Sequence, residues 1–124
     1  GGFPNMMVIS LVQAGFGTNF VHFLGRSARH VAELIKACND QGIAAIEATP
    51  EAEEGWLMVL YSVIGNGAEY VATCTPGYYN NEMSVPDEKA AKGLVYAGSL
   101  LDYHAHLDEF RAAGDFPGAL VTKG

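Results

Sequence analysis

Four histidines are the side chains of this sequence whose unperturbed pKa lies nearest neutral pH, and an imidazole can also bind a metal. His104 and His106 lie two apart, and residues two apart on a helix do not face the same way. No cysteine or carboxylate motif completes a metal site around them, so we expect His104 and Asp108, four apart, to form a surface pair. His22 and His30 lie eight apart and could line one helix face, but the sequence supplies them with no nucleophile. The histidines therefore predict neither a metal site nor a catalytic group.

The glutamates and cysteines do not form a catalytic arrangement either. Four glutamates crowd into positions 47–54, where they complement the positive dipole of a helix start. Cys74 stands beside Pro76 and Gly77 with no basic neighbour to stabilise a thiolate. Cys38 is predicted to lie on a helix, and two such cysteines form no disulfide framework, which fits a reducing cytoplasm. We predict no catalytic residue in this chain.

The segment GFGTNF (15–20) stands where a dinucleotide-binding turn would, after a predicted strand and at the start of a predicted helix. The third glycine of G-x-G-x-x-G falls on Phe20, whose ring would block the close packing of helix on strand that a glycine allows. Two interpretations stay open. The segment is either a flexible connection between strand and helix, or a helix start whose free amides face a developing negative charge.

The composition limits the class of protein. Among 124 residues, 49% are hydrophobic and only 17% are charged, and the formal net charge is −7. An acidic chain with scattered Lys and Arg is not a nucleic-acid binder. The sequence contains no apolar run long enough to span a membrane and no basic start typical of a signal peptide. So few charges indicate that part of the surface is covered by another partner.

The hydrophobic pattern predicts strands alternating with helices, and therefore an α/β fold. Strands are expected at 6–12, 43–48 and 118–122, with an extended segment at 92–98. One helix begins at Thr18 or Asn19 and stops at Gly42; another begins at Thr49-Pro50 and ends near Gly65 or Gly67; a third covers 102–114. The inward faces are expected to be Ala28, Val31, Ala32, Ile35 and Cys38, then Ala52, Trp56, Val59, Leu60 and Val63, then Tyr103, Leu107 and Phe110.

The stretch 69–94 shows little periodicity, and a loop of that length is evidence against a self-sufficient domain unless the loop is functional. It contains CTPGYYNNEM (74–83), in which Tyr78, Tyr79 and Asn80 follow a turn that needs only proline and glycine. We expect the chain to be an incomplete piece of a larger protein.

The order of these segments resembles a known family. GFPNMMVISLVQAGFGTNF, ARHVAELIKAC, IEATPEAEEGW, CTPGYYNNE and YHAHLDEFRAAGDFPGALV together are similar to the C-terminal segment of class B flavin monooxygenases, particularly the Baeyer–Villiger group. The resemblance runs over nearly the whole chain and in the family's order. It implies that residues 1–124 form a single segment, which is a fragment of an α/β, Rossmann-like fold that binds FAD and NAD(P). This fragment would contain few short strands, three helices and long loops.

The resemblance also implies a function. The whole enzyme would use FAD, NADPH and O₂ to insert one oxygen atom into a small organic substrate, with conversion of a ketone to an ester the first expectation. The turn containing Gln13, Gly17, Thr18 and Asn19 would face the flavin, and Tyr78, Tyr79 and Asn80 would face the cofactor or substrate cleft. An alternative for the loop is that its tyrosines pack on a neighbouring domain. The chain by itself would be inactive and partly folded or self-associated.

A second hypothesis stays open beside this one. The chain could be a small non-catalytic binding or assembly module that derives from the same segment and uses its apolar surface for a partner. The missing nucleotide fingerprint is expected under both hypotheses, so it does not separate them. The length of the native polypeptide does.

Overall fold

The structure is a computed structural model that describes residues 2–15, 17, 19–65, 69, 73, 75 and 92–124. The elements of this part follow in the order α1 (Phe20–Asp40), β1 (Ile43–Ala48), α2 (Pro50–Val63), α3 (Leu100–Ala113) and β2 (Ala119–Lys123). Helices alternate with short strands, as the sequence pattern predicts. The α/β fold class is confirmed.

Helix α1 begins and ends where its sequence signals predict. The side chain of Asn19 accepts a hydrogen bond from the amide of His22 at 2.9 Å, which satisfies one of the free amides of the first turn. The chain leaves the helix at Gln41, and Gly42 follows with φ at +66°, a left-handed conformation that suits glycine.

The predicted inward face of α1 is wrong for most of its members. Cys38 is buried as expected, but Ile35 is 48% exposed and the small residues near it are exposed or half-buried. The helix instead buries Phe23, whose ring fills the core that α2 and α3 share. The larger aromatic side chain removes more apolar area from water than a row of alanines, so it determines which face turns inward.

Helix α2 follows its predicted start. The hydroxyl of Thr49 accepts from the amide of Ala52 at 3.1 Å, and Pro50 occupies the first helical position. Leu60 is completely buried. The other members of the predicted inward stripe are half-buried, namely Ala52, Trp56, Val59 and Val63.

Strands β1 and β2 form an antiparallel pair, with Ile46 opposite Val121 and Ala48 opposite Ala119. Both strands were predicted. Asn5 lies against β1 as well: its amide donates to the carbonyl of Ile46 at 2.9 Å, its Oδ1 accepts from the Ile46 amide at 3.0 Å, and its Nδ2 donates to the carbonyl of Ala44 at 3.0 Å. The segment GFPN is therefore attached to the sheet by the side chain of its asparagine.

The strand predicted at 6–12 is wrong within the described residues. Met6 is 62% exposed and Val8 is 69% exposed, and the segment belongs to no sheet in the part of the chain that is described. Asn5 and Gln13, which bound the segment, both have positive φ values, so the backbone turns at each end. An apolar run needs a ladder partner to become a buried strand, and neither β1 nor β2 pairs with this one.

Two clusters of buried side chains hold the described elements together. The larger cluster joins Ala14, Phe23, Leu60, Tyr96 and Tyr103, and the smaller joins Cys38, Ile43 and Phe116. Among the described residues, no helix is both long enough and apolar enough to cross a bilayer.

Candidate functional site

The 13–19 turn, the residues between the apolar N-terminal run and α1, is held from several sides. Gln13 has φ at +57°, an uncommon conformation for a residue with a side chain. Its amide donates to the carbonyl of Leu94 at 2.7 Å, and its side-chain Nε2 donates to the carbonyl of Lys92 at 2.9 Å. Its own carbonyl accepts from the indole Nε1 of Trp56 at 3.1 Å. Three hydrogen bonds to two other parts of the chain hold this residue in place.

Ala14 and Gly15, the next residues of the turn, also contact the segment that follows Lys92. The carbonyl of Ala14 accepts from the amide of Tyr96 at 3.0 Å, and Gly15 forms an isolated parallel bridge with Tyr96. This bridge is what the predicted extended segment at 92–98 becomes in the structure.

Glycines let the turn approach α3 closely. A Cβ on Gly15 would lie 2.9 Å from the ring of Tyr103, and a Cβ on Gly17 would lie 2.9 Å from Cδ2 of Leu100. Both distances are shorter than real Cβ contacts, so a side chain at either position would push the turn away from the helix. The glycines of GFGTNF therefore serve the packing of turn on helix.

An aromatic cluster lies beneath the turn. Trp56 stacks on Tyr96 with ring centroids 5.9 Å apart and planes within 7°. His106 meets the face of Trp56 edge-on at 5.6 Å, and Tyr103 contacts both Trp56 and Tyr96. Burial raises the pKa of the Tyr96 and Tyr103 hydroxyls, so both stay protonated at neutral pH. The packed rings of this cluster support the turn from below.

A cleft of about 740 Å³ opens beside this cluster. Its walls come from the N-terminal segment, from all three helices and from both strands, and they include Met6, Val8, Ile46, Trp56, Tyr103 and Phe110. The lining is mostly apolar, and Gln13 and His106 are among its few polar members.

At its other end the turn leads into the start of α1. Asn19 satisfies the amides of His22 and Phe23, through its side chain and its carbonyl respectively. In the described chain the amides of Phe20 and Val21 have no hydrogen-bond partner, and the first turn contains no acidic side chain. A helix start of this kind carries a partial positive charge and two free donors. It can stabilise an anionic group.

A second group of polar side chains links α1 to α3. Arg111 pairs with Glu33 at 2.9 Å and with Asp108, and its Nη1 lies 2.9 Å from Nδ1 of His30. Arg26 reaches Asp108 at 3.5 Å. Sequence reasoning missed this group, since the spacing of charges within one helix does not show which residues of another helix face them.

The surface pair predicted between His104 and Asp108 is wrong. His104 is only 7% exposed, and its Nε2 has no hydrogen-bond partner in the described part of the chain. Its ring contacts Tyr103 and meets His22 edge-on at 6.1 Å. The Asp108 carboxylate is held by two arginines, which attract it more strongly than a buried imidazole. Burial, followed by the nearby Arg26, lowers the pKa of His104.

The predicted site residues divide into two sets. Gln13, Gly17 and Asn19 lie on one turn, between the aromatic cluster and α1, as described above. Thr18, Tyr78, Tyr79, Asn80 and Cys74 lie outside the described residues. No group of three or more metal-ligating side chains occurs among the residues that the structure describes.

Comparison with known proteins finds relatives that match nearly the whole of this chain. It is 36% identical over 117 residues to Baeyer-Villiger monooxygenase 4 of Dietzia sp. (strain D5), covering 94% of this chain and 19% of the relative. It is 30% identical over 121 residues to the FAD-binding monooxygenase hmp7 of Hypomyces subiculosus, covering 98% of this chain and 20% of the relative. No family model matches.

Solved structures agree with these relatives. The polycyclic ketone monooxygenase of Thermothelomyces thermophila superimposes with a TM-score of 0.77 at 33% identity, over 98% of this chain and 20% of that one. The chain matches a fragment of the Baeyer–Villiger monooxygenase family. A steroid monooxygenase bound to NADP, at 19% identity and a TM-score of 0.64, shares the fold over 85% of this chain and 18% of that one. The chain spans about a fifth of the length of these curated relatives.

Proposed function

We propose that this chain is the C-terminal segment of an FAD- and NADPH-dependent monooxygenase that inserts one atom of O₂ into a small organic substrate. Conversion of a ketone to an ester is the proposed reaction type. The observation that carries the proposal is the superposition of 98% of this chain on a polycyclic ketone monooxygenase at 33% identity. Sequence and fold agree here over the same residues, which a chance resemblance of one motif would not produce.

The residues of the 13–19 turn fit one edge of a flavin. FAD would supply the redox chemistry, with NADPH as the source of electrons. The start of α1 offers the amides of Phe20 and Val21, which have no hydrogen-bond partner among the described residues, together with a first turn that has no acidic side chain and the positive end of a helix dipole. Such an end stabilises a negative charge by about 0.3–1 kcal/mol when exposed, and by up to about 2 kcal/mol when partly buried. The proposed flavin-facing residues are Gly17, Thr18 and Asn19, together with the amides of Phe20 and Val21 that follow them.

The chain by itself is proposed not to bind FAD or NADPH well. The G-x-G-x-x-G pattern fails at Phe20, and the sequence contains no complete copy of it. The nucleotide parts of FAD and NADPH are therefore proposed to bind to the remainder of the enzyme. The loop containing Tyr78, Tyr79 and Asn80 is proposed to face the cofactor or substrate cleft, and the enzyme to be cytoplasmic.

The surface supports a covalently linked partner. Large apolar side chains are exposed along the N-terminal segment and on the wall of the cleft beside it, namely Phe3, Met6, Val8 and Ile9. Contiguous exposed apolar surface marks a site of interaction. Since relatives are about five times as long, the proposed occupant is the remainder of the monooxygenase chain.

The native length of the polypeptide tests this proposal first. An antibody raised against this chain is used on an extract of the source cells, and the protein it detects is then purified for assay with NADPH and a panel of cyclic and polycyclic ketones. A flavin-containing polypeptide of about 600 residues that consumes NADPH and releases an ester or lactone supports the proposal. A native polypeptide of 124 residues overturns it and favours the alternative, a stand-alone module that binds a partner through its apolar surface.

A further inference from the structure

We infer that Gln13 and Trp56 are positioning residues, which set the direction of the amides at the start of α1 without contacting the flavin themselves. The inference rests on the proposed function of the 13–19 turn. It changes the role expected for Gln13, from a residue that binds the cofactor to one that holds the residues that do.

Gln13 already uses its backbone and side-chain amides in hydrogen bonds within the chain. Its amide, its carbonyl and its side-chain Nε2 are engaged with Leu94, Trp56 and Lys92 respectively. A flavin edge that needs N–H donors would obtain none from a residue whose backbone and side-chain nitrogens already donate elsewhere. Among the residues that the structure describes, the amides without a hydrogen-bond partner lie further along, at Phe20 and Val21.

The backbone of Gln13 has an uncommon, positive φ value. A non-glycine residue with φ at +57° persists only where its surroundings impose that conformation. Here the surroundings are the Trp56 indole on one side and the 92–94 segment on the other. The direction in which the chain leaves Gln13 toward α1 depends on both contacts.

Two neighbouring rings hold the indole of Trp56 in place. The indole is fixed by its stack on Tyr96 and by the edge of His106, so its N–H points at one place. The same Tyr96 receives the turn through the hydrogen bond from its amide to Ala14. Trp56 and the 13–19 turn therefore both contact Tyr96. This shared contact fixes the position of the turn relative to the indole.

Two variants of the full-length flavoprotein test the inference. Trp56→Phe keeps an aromatic ring on Tyr96 and removes only the N–H donor. Gln13→Asn keeps a residue that tolerates positive φ, but its amide is one methylene too short to reach Lys92. Matched controls are Tyr61→Phe, which alters an exposed ring on α2, and Gln41→Asn, which shortens an amide that donates to the carbonyl of Gly114 at 3.0 Å.

The measurements are the midpoint potential of the bound flavin, and kcat and KM for NADPH. We expect both variants to shift the potential to more negative values, because misdirected amides stabilise the reduced, anionic flavin less. We expect kcat to fall by about twofold to fivefold, the fold-change equivalent to one exposed helix-terminus interaction, with KM for NADPH unchanged. Both controls should match the unsubstituted enzyme.

The outcomes separate this inference from the proposed function. Variants that bind flavin with the potential and kcat of the controls overturn the inference and leave the proposed function standing. An unsubstituted full-length protein that holds no flavin overturns both. If Trp56→Phe does not fold, Gln13→Asn decides the question through the same potential and the same division between kcat and KM.

Discussion

The guanidinium of Arg111 donates a hydrogen bond from Nη1 to Nδ1 of His30 at 2.9 Å, joining α3 to α1. An arginine has only donors, so His30 Nδ1 must accept, and the imidazole is neutral with its proton on Nε2. A protonated His30 would have no acceptor to offer and would place a second positive charge against Arg111. This hydrogen bond between the two helices therefore depends on the protonation state of one half-buried ring.

We predict that the stability of this chain falls as the pH drops below the ordinary pKa of histidine, about 6.5. Burial first, and Arg111 next, lower the pKa of His30, and burial lowers the pKa of His104 in the same direction. Above about pH 6.5 both residues are neutral in the folded and the unfolded chain, so their full contribution to the free energy of unfolding is present. Below it the unfolded chain binds protons that the folded chain does not, so the free energy of unfolding decreases until the folded pKa is reached.

The variant His30→Gln checks the source of this dependence. Glutamine still offers Arg111 an oxygen acceptor but does not titrate, so the loss of stability between about pH 7.5 and about pH 5 should shrink. The measurement is urea unfolding followed through Trp56, the only tryptophan of the chain. An unchanged pH dependence in this variant would rule out His30 as its source. Glu33, whose pKa is lowered by Arg29, loses its contribution only at more acidic pH.

His104→Leu is expected to stabilise the chain. The buried Nε2 of His104 has no hydrogen-bond partner in the described residues, and an unsatisfied buried polar atom costs about 1–3 kcal/mol. Replacement by an apolar side chain removes that cost, so we expect the free energy of unfolding to rise by about 1 kcal/mol near pH 7. His22→Leu, at an exposed position, is the matched control and should change stability by less than about 0.5 kcal/mol. A destabilised His104→Leu variant would show that the imidazole nitrogen has a partner.

Gly15→Ala and Gly55→Ala form a matched pair with opposite expected effects. A Cβ at Gly15 meets the Tyr103 ring at 2.9 Å, so we expect a loss of about 1–3 kcal/mol, the usual cost of overpacking. A Cβ at Gly55 meets nothing within 4 Å and lies inside α2, so alanine there should stabilise the chain by about 0.5–1 kcal/mol. Thermal unfolding of both variants measures the difference. Equal effects would mean that the turn does not pack on α3 at Gly15.

Asn19→Ala should weaken the start of α1 by about 1 kcal/mol, because it removes the acceptor for the His22 amide. Asn39→Ala, an exposed substitution in the last turn of the same helix, serves as the control and should be neutral or slightly stabilising. Helix content by circular dichroism and the urea midpoint report both. A neutral Asn19→Ala would contradict the capping role and, with it, the fixed direction of the first amides.

Local chemistry made much of this fold predictable. Asn19, Gly42 and the pair Thr49-Pro50 mark helix boundaries through their own backbone and side-chain preferences, so α1 and α2 begin and end close to the expected residues. The strands at 43–48 and 118–122 were equally readable from short apolar runs. These features depend on neighbours a few residues away.

Features that depend on distant neighbours were not predictable. The apolar run at 6–12 looks like a strand, but whether it becomes one depends on a partner that the described chain does not provide. The sequence predicts His104 to be a surface residue, but the packing of α3 against α1 buries its side chain. The contact between the Gln13 side chain and Lys92 joins residues 79 positions apart, and no spacing rule reaches across that distance.

Asn5 also decides how the small sheet can be extended. Its backbone amide and side-chain amide occupy the hydrogen-bonding groups that Ala44 and Ile46 would otherwise present along the outer side of β1. An open strand edge is a template for another strand, whichever chain supplies it. A strand added at β1 would first have to displace three hydrogen bonds, so this edge is protected against strand addition. One asparagine thus closes one edge of the two-stranded sheet.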